Sequence, residues 1–104
     1  MSFNGVGDFW LQPGASTRIA LARGNLVPDE EWGGEDFGAQ WIMADPQHNG
    51  RGSHEGRLMV SEHTKERKAI RRHPDSPNPV VYIVTVTNIG GEGCSFSIQG
   101  GGNV

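Results

Sequence analysis

The chain has 104 residues, of which 35% are hydrophobic and 16 are glycines, and its formal net charge is −3. This length suits one domain with one modest core, so we expect a single domain over residues 1–104. The negative charge argues against nucleic acid and anionic membranes as partners. No apolar run approaches the roughly 18 residues that a membrane span requires.

The N-terminus and the cysteine content give information on the cellular location of the protein. The start, MSFNGVGDFW, has no basic residue and no long apolar centre, so we expect no signal peptide in this chain. A soluble protein is expected, either cytoplasmic or secreted with its signal removed, and the choice stays open. Cys94 is the only cysteine, which excludes an internal disulfide, and we interpret it as a small buried residue.

Short runs in which apolar and polar residues alternate predict β-strands along the chain. In chain order these runs are 9–12, 17–22, 39–44, 57–61, 82–87 and 94–99. Many short strands joined by glycine-rich turns favour an all-β fold, and we predict an antiparallel β-sandwich of about six to eight strands. The residues expected to form its core are Leu11, Ile19, Leu21, Trp41, Met43, Leu58, Val60, Val84, Val86, Phe96 and Ile98. Trp10, in the first run, is also interpreted as a core residue.

Three longer polar segments separate the strands. Residues 24–38 contain five carboxylates and no Lys or Arg, and a short helical turn over 28–32 is one option there. Residues 47–56 are rich in Gly and His. Residues 61–73 have fair helix propensity but only two good apolar residues, so an extended hairpin arm or a mobile loop competes with a helix.

The clearest strand pattern lies at the C-terminal end. Residues 82–102 read YIVTVTNIGGEGCSFSIQGGG, and the glycine-rich link 89–93 suits a hairpin. This segment resembles the closing hairpin of immunoglobulin-like and fibronectin-like sandwiches, where a Y-x-V-x-V-x-N-x-G run precedes a final strand. The resemblance implies a two-sheet architecture and carries little information about function. The cysteine pair of immunoglobulin domains is absent.

The loops supply the candidate ligand-binding residues. Trp32 and Phe37 lie beside glycines in the polar segment 24–38, where an aromatic side chain can serve as a sugar platform or a protein anchor. The alternative is that they fold back as a plug on the end of the sandwich. The full set of candidate ligand-binding residues is Trp32, Asp36, Phe37, His48, His54, Arg67, Arg71 and Arg72.

Charge is distributed unevenly between two segments. Five of the nine basic residues fall within residues 65–72, and carboxylates concentrate in residues 29–36. The basic segment is suited to phosphate, sulfated glycan or nucleic acid. It is equally suited to docking on the acidic segment of the same or a neighbouring molecule.

No sequence pattern indicates catalysis, a metal or a cofactor. The histidines and carboxylates near residues 45–63 lack the spacing of known zinc sites, and the acidic segment lacks a calcium-loop pattern. The glycines at 90–93 have no lysine and no following helix, so they do not form a phosphate loop. We therefore expect no catalytic residues, no metal, no cofactor and no enzymatic activity.

Three hypotheses follow for function. The first is a non-catalytic binding module whose end loops hold a glycan or a protein. The second is a structural or assembly subunit that forms a homo-oligomer through the acidic segment 29–36 and the basic segment 65–72. The third is a small metal-dependent enzyme that uses Asp45, His48, His54 and Glu55.

Overall fold

In a computed structural model, residues 2–22, 25–27, 32–34, 36, 38–47, 56–68, 70–71 and 79–102 are described. Within these residues the structure contains nine β-strands and no helix. The strands are β1 (Ser2–Leu11), β2 (Ser16–Ala22), β3 (Asn25–Leu26), β4 (Trp32–Gly33), β5 (Trp41–Gln47), β6 (Leu58–Arg67), β7 (Ile70–Arg71), β8 (Val80–Asn88) and β9 (Cys94–Gly101). None of the described residues belongs to a helix that is able to span a membrane.

Seven of the strands form two antiparallel sheets, which confirms the predicted all-β sandwich. One sheet has the order β1-β9-β5 and the other has the order β3-β2-β8-β6. The short strands β4 and β7 form a separate parallel pair. Because β1 pairs with β9 and β2 pairs with β8, the first long strand lies beside the last, and the second lies beside the next to last.

Alternation along β8 explains how the core is filled. Every second residue from Val80 to Val86 faces the space between the sheets, and Val81 and Ile83 are buried on the opposite side with Ala20. Burial on both sides is why this strand is nearly continuous in apolar residues. Most of the predicted core is confirmed: Leu11, Ile19, Leu21, Val84, Val86, Phe96 and Ile98 are buried, and Leu58 and Val60 pack against them.

The predicted orientation of β5 is wrong. Trp41 and Met43 are 45% and 48% exposed, whereas Ile42 is 2% exposed and Ala44 is also buried. The register explains this result, since Ile42 lies opposite Gly100 and Ala44 lies opposite Ile98. These pairings alternate large and small side chains in the core, and a tryptophan has no equivalent space there.

Trp10 is a second correction of the same kind. It is 57% exposed, while its neighbours Phe9 and Leu11 face the core. The Phe9 ring stacks on Phe96, with 5.2 Å between ring centroids. Because strand neighbours point to opposite sides, the burial of Phe9 places Trp10 outside.

The predicted hairpin at residues 89–93 is also wrong. The strands β8 and β9 belong to different sheets, so this link crosses from one sheet to the other. The buried side chain of Asn88 secures the crossing: its Nδ2 donates to the carbonyls of Leu11 at 2.9 Å and Glu92 at 2.7 Å. Its Oδ1 accepts the N–H of Gly90 at 3.0 Å. The segment that resembles a closing hairpin thus forms two strands that do not pair with each other.

The ambiguous segment 61–73 is extended as far as Arg67. Its strand β6 contains a bulge between Ser61 and Thr64, and Glu62 there adopts a positive φ of 49°. The Glu62 carboxylate accepts hydrogen bonds from Arg18 and Thr85 on the outside of the sheet. These bonds hold a backbone conformation that residues other than glycine seldom adopt.

Candidate functional site

The three-stranded sheet has one side turned away from the core, here called the outer face. On its central strand β9, Phe96 and Ile98 are buried in the core, so Ser95, Ser97 and Gln99 point to the outer face. Residues directly opposite each other in a sheet share a face. A side chain of β1 or β5 therefore lies on the outer face when its residue is opposite Ser95, Ser97 or Gln99 of β9, or opposite Gly101 in the same phase.

Trp10 lies at one end of the outer face, opposite Ser95. Its indole covers Gly93: a Cβ added to Gly93 would meet Cζ2 of Trp10 at 2.5 Å and Nε1 at 3.2 Å. The absence of a side chain at Gly93 is therefore what allows the indole to lie against the sheet.

Trp41 lies at the other end, on the opposite edge strand. It pairs with Gly101, and Met43 pairs with Gln99 on the same side. The partners of Trp10 and Trp41 on β9 are residues 95 and 101, six positions apart, which corresponds to about 20 Å along the strand. The two indoles thus mark the two ends of one face.

Polar side chains of β5 accompany Met43 on the outer face: Asp45 lies between the indoles, and Gln47 lies across β9 from Trp10. Asp45 lies opposite Ser97 and Gln47 lies opposite Ser95. The Nε2 of Gln47 donates to Oδ2 of Asp45 at 2.9 Å and to its carbonyl at 3.2 Å. The sequences of β1, β5 and β9 contain no Lys, Arg or His, so these three strands contribute carboxylates and amides and no cation to the face.

A second polar group consists of Asp36, Lys65 and the hydroxyl of the buried Tyr82. The Tyr82 hydroxyl donates to Oδ1 of Asp36 at 2.5 Å, and the N–H of Gly38 donates to the same oxygen at 2.9 Å. Lys65 forms an ion pair with Oδ2 of Asp36, and its Nζ lies 5.5 Å from the centre of the Tyr82 ring. These contacts fasten the acidic segment to β6 and β8.

The ionisation of this group follows from its contacts. Burial alone would raise the pKa of Asp36, but hydrogen bonds from Lys65, Tyr82 and Gly38 outweigh it and lower that pKa below its ordinary value. Burial and the bond to Asp36 raise the pKa of Tyr82, and the bond to Asp36 raises the pKa of Lys65. The group is therefore stable as a carboxylate, a neutral phenol and an ammonium.

The acidic and basic segments meet within one chain. The parallel pair of β4 and β7 places Trp32 opposite Ile70 and Gly33 opposite Arg71. Gly34 then exchanges two backbone hydrogen bonds with Val80, at 2.8 and 2.9 Å. Together with the Asp36–Lys65 ion pair, these bonds hold the acidic segment against the basic segment of the same molecule, which is one of the two arrangements that the charge pattern suggested.

The residues predicted from the loops have different outcomes. Asp36 belongs to the polar group described above, and Arg67 is an exposed residue at the end of β6. Trp32 and Arg71 are placed by their backbone in β4 and β7. The remaining candidate ligand-binding residues lie outside the described part of the chain: Phe37, His48, His54 and Arg72. Residues 28–31, for which a helical turn was one option, also lie outside it.

The metal hypothesis gains no geometric support. Among the described residues there is no group of three or more His, Cys, Asp or Glu able to hold an ion. Of its proposed ligands only Asp45 is described, and it accepts a hydrogen bond from Gln47 on the outer face. The other three proposed ligands, His48, His54 and Glu55, lie outside the described residues.

Cys94 is buried, as predicted. Its Sγ donates to the carbonyl of Ser95 at 3.3 Å, and burial raises the pKa of the thiol. A raised pKa keeps the thiol protonated, which suits a packing role rather than a nucleophile.

A pocket of about 350 Å³ lies beside β2 and β3. Its lining is largely apolar, and its one charged side chain, Arg18, is paired with Glu62 at 2.7 Å. The lining residues are Phe9, Arg18, Ile19, Ala20, Leu26 and Val27.

No family model, no curated protein and no solved structure matches this chain.

The sequence contains a signal for the outer face that the core assignment missed. In WIMADPQ the polar residues Asp45 and Gln47 are in phase with Trp41, and in DFWLQ the polar residues Asp8 and Gln12 are in phase with Trp10. In a strand, residues two apart share a face. The polar partners thus mark each tryptophan as outward, against the expectation from its hydrophobicity.

Proposed function

We propose that the protein is a non-catalytic binding module that holds a glycan on its outer face. The observation that carries the proposal is the exposure of Trp10 and Trp41 on one side of the three-stranded sheet. One side of a sugar ring presents C–H groups, and these pack well on the flat, electron-rich face of an indole. Such stacking leaves the hydroxyls at the ring edge available for hydrogen bonds.

The polar side chains of the outer face are able to form hydrogen bonds with those hydroxyls. The carboxylate of Asp45 accepts hydrogen bonds, and the amides of Gln47 and Gln99 both donate and accept them. Sugar hydroxyls likewise donate and accept, so the two sets are complementary. This supports a ligand rich in hydroxyl groups.

A protein ligand fits the outer face less well. Hot spots in protein interfaces cluster near the centre of a patch and are surrounded by polar residues. On the outer face the tryptophans lie at the two ends, and the side chains between them are polar except for Met43, which lies near Trp41. The arrangement favours a chain that contacts separate platforms.

Assembly through the acidic and basic segments has less support than binding. Asp36 is paired with Lys65 within one chain, so this ion pair is not available to a second copy. Exposed ion pairs between copies would contribute little to association in any case.

A polysaccharide pull-down tests the proposal. Wild type, Trp10→Ala, Trp41→Ala and the double variant are mixed with a panel of insoluble polysaccharides, and the bound fraction is measured. Met59→Ala is the matched control, since Met59 is an exposed apolar residue of the other sheet.

We expect wild type and the control to be retained on at least one polysaccharide. The double variant should bind at least about tenfold more weakly. Equal retention of the double variant, or no retention of wild type on any polysaccharide, would contradict the proposal.

A further inference from the structure

We infer that the outer face takes an extended, uncharged polysaccharide that contacts Trp10 and Trp41 at the same time. This inference rests on the proposed glycan-binding function and names the class of glycan. It depends on two properties of the face: the separation of the indoles and the absence of Lys, Arg and His from its three strands.

The separation requires a long ligand. The partners of the two tryptophans are about 20 Å apart along β9, and the tryptophans themselves lie on opposite edge strands, β1 and β5. A single sugar or a disaccharide is too short to reach from one indole to the other. A ligand that uses both must be a chain of several sugars that crosses β9 obliquely.

The central strand carries hydrogen-bonding groups under the path of such a chain. Between the partners of the two tryptophans, the outward residues of β9 are Ser97, opposite Asp45, and Gln99, opposite Met43. Ser97 is buried, so the side chains around it cover it. A chain that runs from Trp10 to Trp41 would therefore contact the side chains of Asp45, Met43 and Gln99.

The charges determine which chain is accepted. The strands β1, β5 and β9 contain no Lys, Arg or His, and the carboxylate of Asp45 lies in the middle of the face. An anionic polysaccharide would find no cation to pair with on these three strands and would be repelled by that carboxylate. An uncharged chain meets only hydrogen-bonding groups and indoles.

Titration calorimetry with defined oligosaccharides tests the inference. The probes are disaccharides and hexasaccharides of β-1,4-glucan, β-1,3-glucan and β-1,4-mannan, with hexagalacturonate as the anionic chain of matched length. Each probe is titrated into wild type, Trp10→Ala, Trp41→Ala and the Met59→Ala control.

At least one uncharged hexasaccharide should bind wild type and the control at least about tenfold more tightly than its disaccharide. Either tryptophan variant should lose most of this dependence on length. Hexagalacturonate should bind more weakly than the uncharged hexasaccharide.

Four results would overturn the inference. Equal affinity for disaccharide and hexasaccharide, or tighter binding of hexagalacturonate, would reject the long uncharged chain and leave glycan binding intact. Binding of no probe and no polysaccharide would reject both proposals. A dimer that Trp41→Ala converts to a monomer would instead assign the face to a second copy of the chain.

Discussion

The indole of Trp10 packs directly on Gly93, the residue before β9, and a Cβ there would lie 2.5 Å from Cζ2 of the ring. The contact joins the crossover between the sheets to the outer face. It means that the position of a proposed binding residue depends on a glycine in a neighbouring turn.

Gly93→Ala is therefore expected to displace Trp10 and weaken binding to the polysaccharide identified in the pull-down. The fluorescence of Trp10, measured in a Trp32→Phe, Trp41→Phe background, should shift on this change. Gly91→Ala is the control, because Gly91 has no atom within 4 Å of an added Cβ. Equal behaviour of the two variants would show that Trp10 does not depend on Gly93.

The orientation of β5 leads to a contrast between neighbouring residues. Ile42→Ala should lower the free energy of unfolding by about 2–4 kcal/mol, because it leaves a cavity in the core. Trp41→Ala removes a larger side chain but should cost less than about 1 kcal/mol, because Trp41 is exposed. Denaturant unfolding measures both, and the reverse ranking would mean that the register of β5 is different.

Asn88 is expected to be essential for the crossing between the sheets. Asn88→Ala removes three hydrogen bonds and leaves the carbonyls of Leu11 and Glu92 without this donor, a loss of about 2–4 kcal/mol in the free energy of unfolding. Ile89→Ala is the control, since Ile89 is the exposed residue next to it. A small effect of Asn88→Ala, within about 0.5 kcal/mol of the control, would contradict this role.

The Asp36 group predicts how stability changes with pH. The folded pKa of Asp36 lies below its ordinary value of 3.8, so its contribution is fully present above pH 3.8 and is lost as the pH falls toward the folded pKa. The pKa of Tyr82 is raised above 10.0, so its contribution is present below pH 10.0 and is lost as the pH rises through the folded pKa.

Asp36→Asn should remove the acid part of this dependence and cost about 1 kcal/mol near neutral pH, after allowance for solvent screening. Tyr82→Phe keeps the buried ring and removes only the hydroxyl, so the double variant measures how strongly the two groups are coupled. Unfolding curves for all four proteins from pH 2.5 to 7 test this prediction. An acid limb that is the same in Asp36→Asn and wild type would contradict it.

Alternation was enough to predict the sandwich and most of its core, because it depends on neighbouring residues alone. The pairing of strands depends on contacts that are distant in sequence, and this is why the local pattern of the link 89–93 predicts a hairpin that does not form. Asn88 illustrates the difficulty: its buried amide reaches Leu11, and nothing in the local sequence indicates that contact.

The outer face is not predicted from the sequence for a different reason. Trp41 and Met43 are more hydrophobic in appearance than Ala44, so hydrophobicity alone assigns them to the core. The phase of Asp45 and Gln47 gives the correct side, and it was the stronger signal. The contact between Asp36 and Tyr82 joins residues 46 positions apart and has no local signal at all.

The most direct test of the central claim is to map the ligand on the protein by ¹⁵N NMR, using a soluble oligosaccharide of the polysaccharide retained in the pull-down. We predict that the indole N–H signals of Trp10 and Trp41 and the side-chain amides of Gln47 and Gln99 shift on titration. Signals of residues 28–37 and 48–55 should move less. Shifts confined to those two segments, with the signals of the outer face unchanged, would contradict the account and return the binding site to the segments that the sequence analysis proposed.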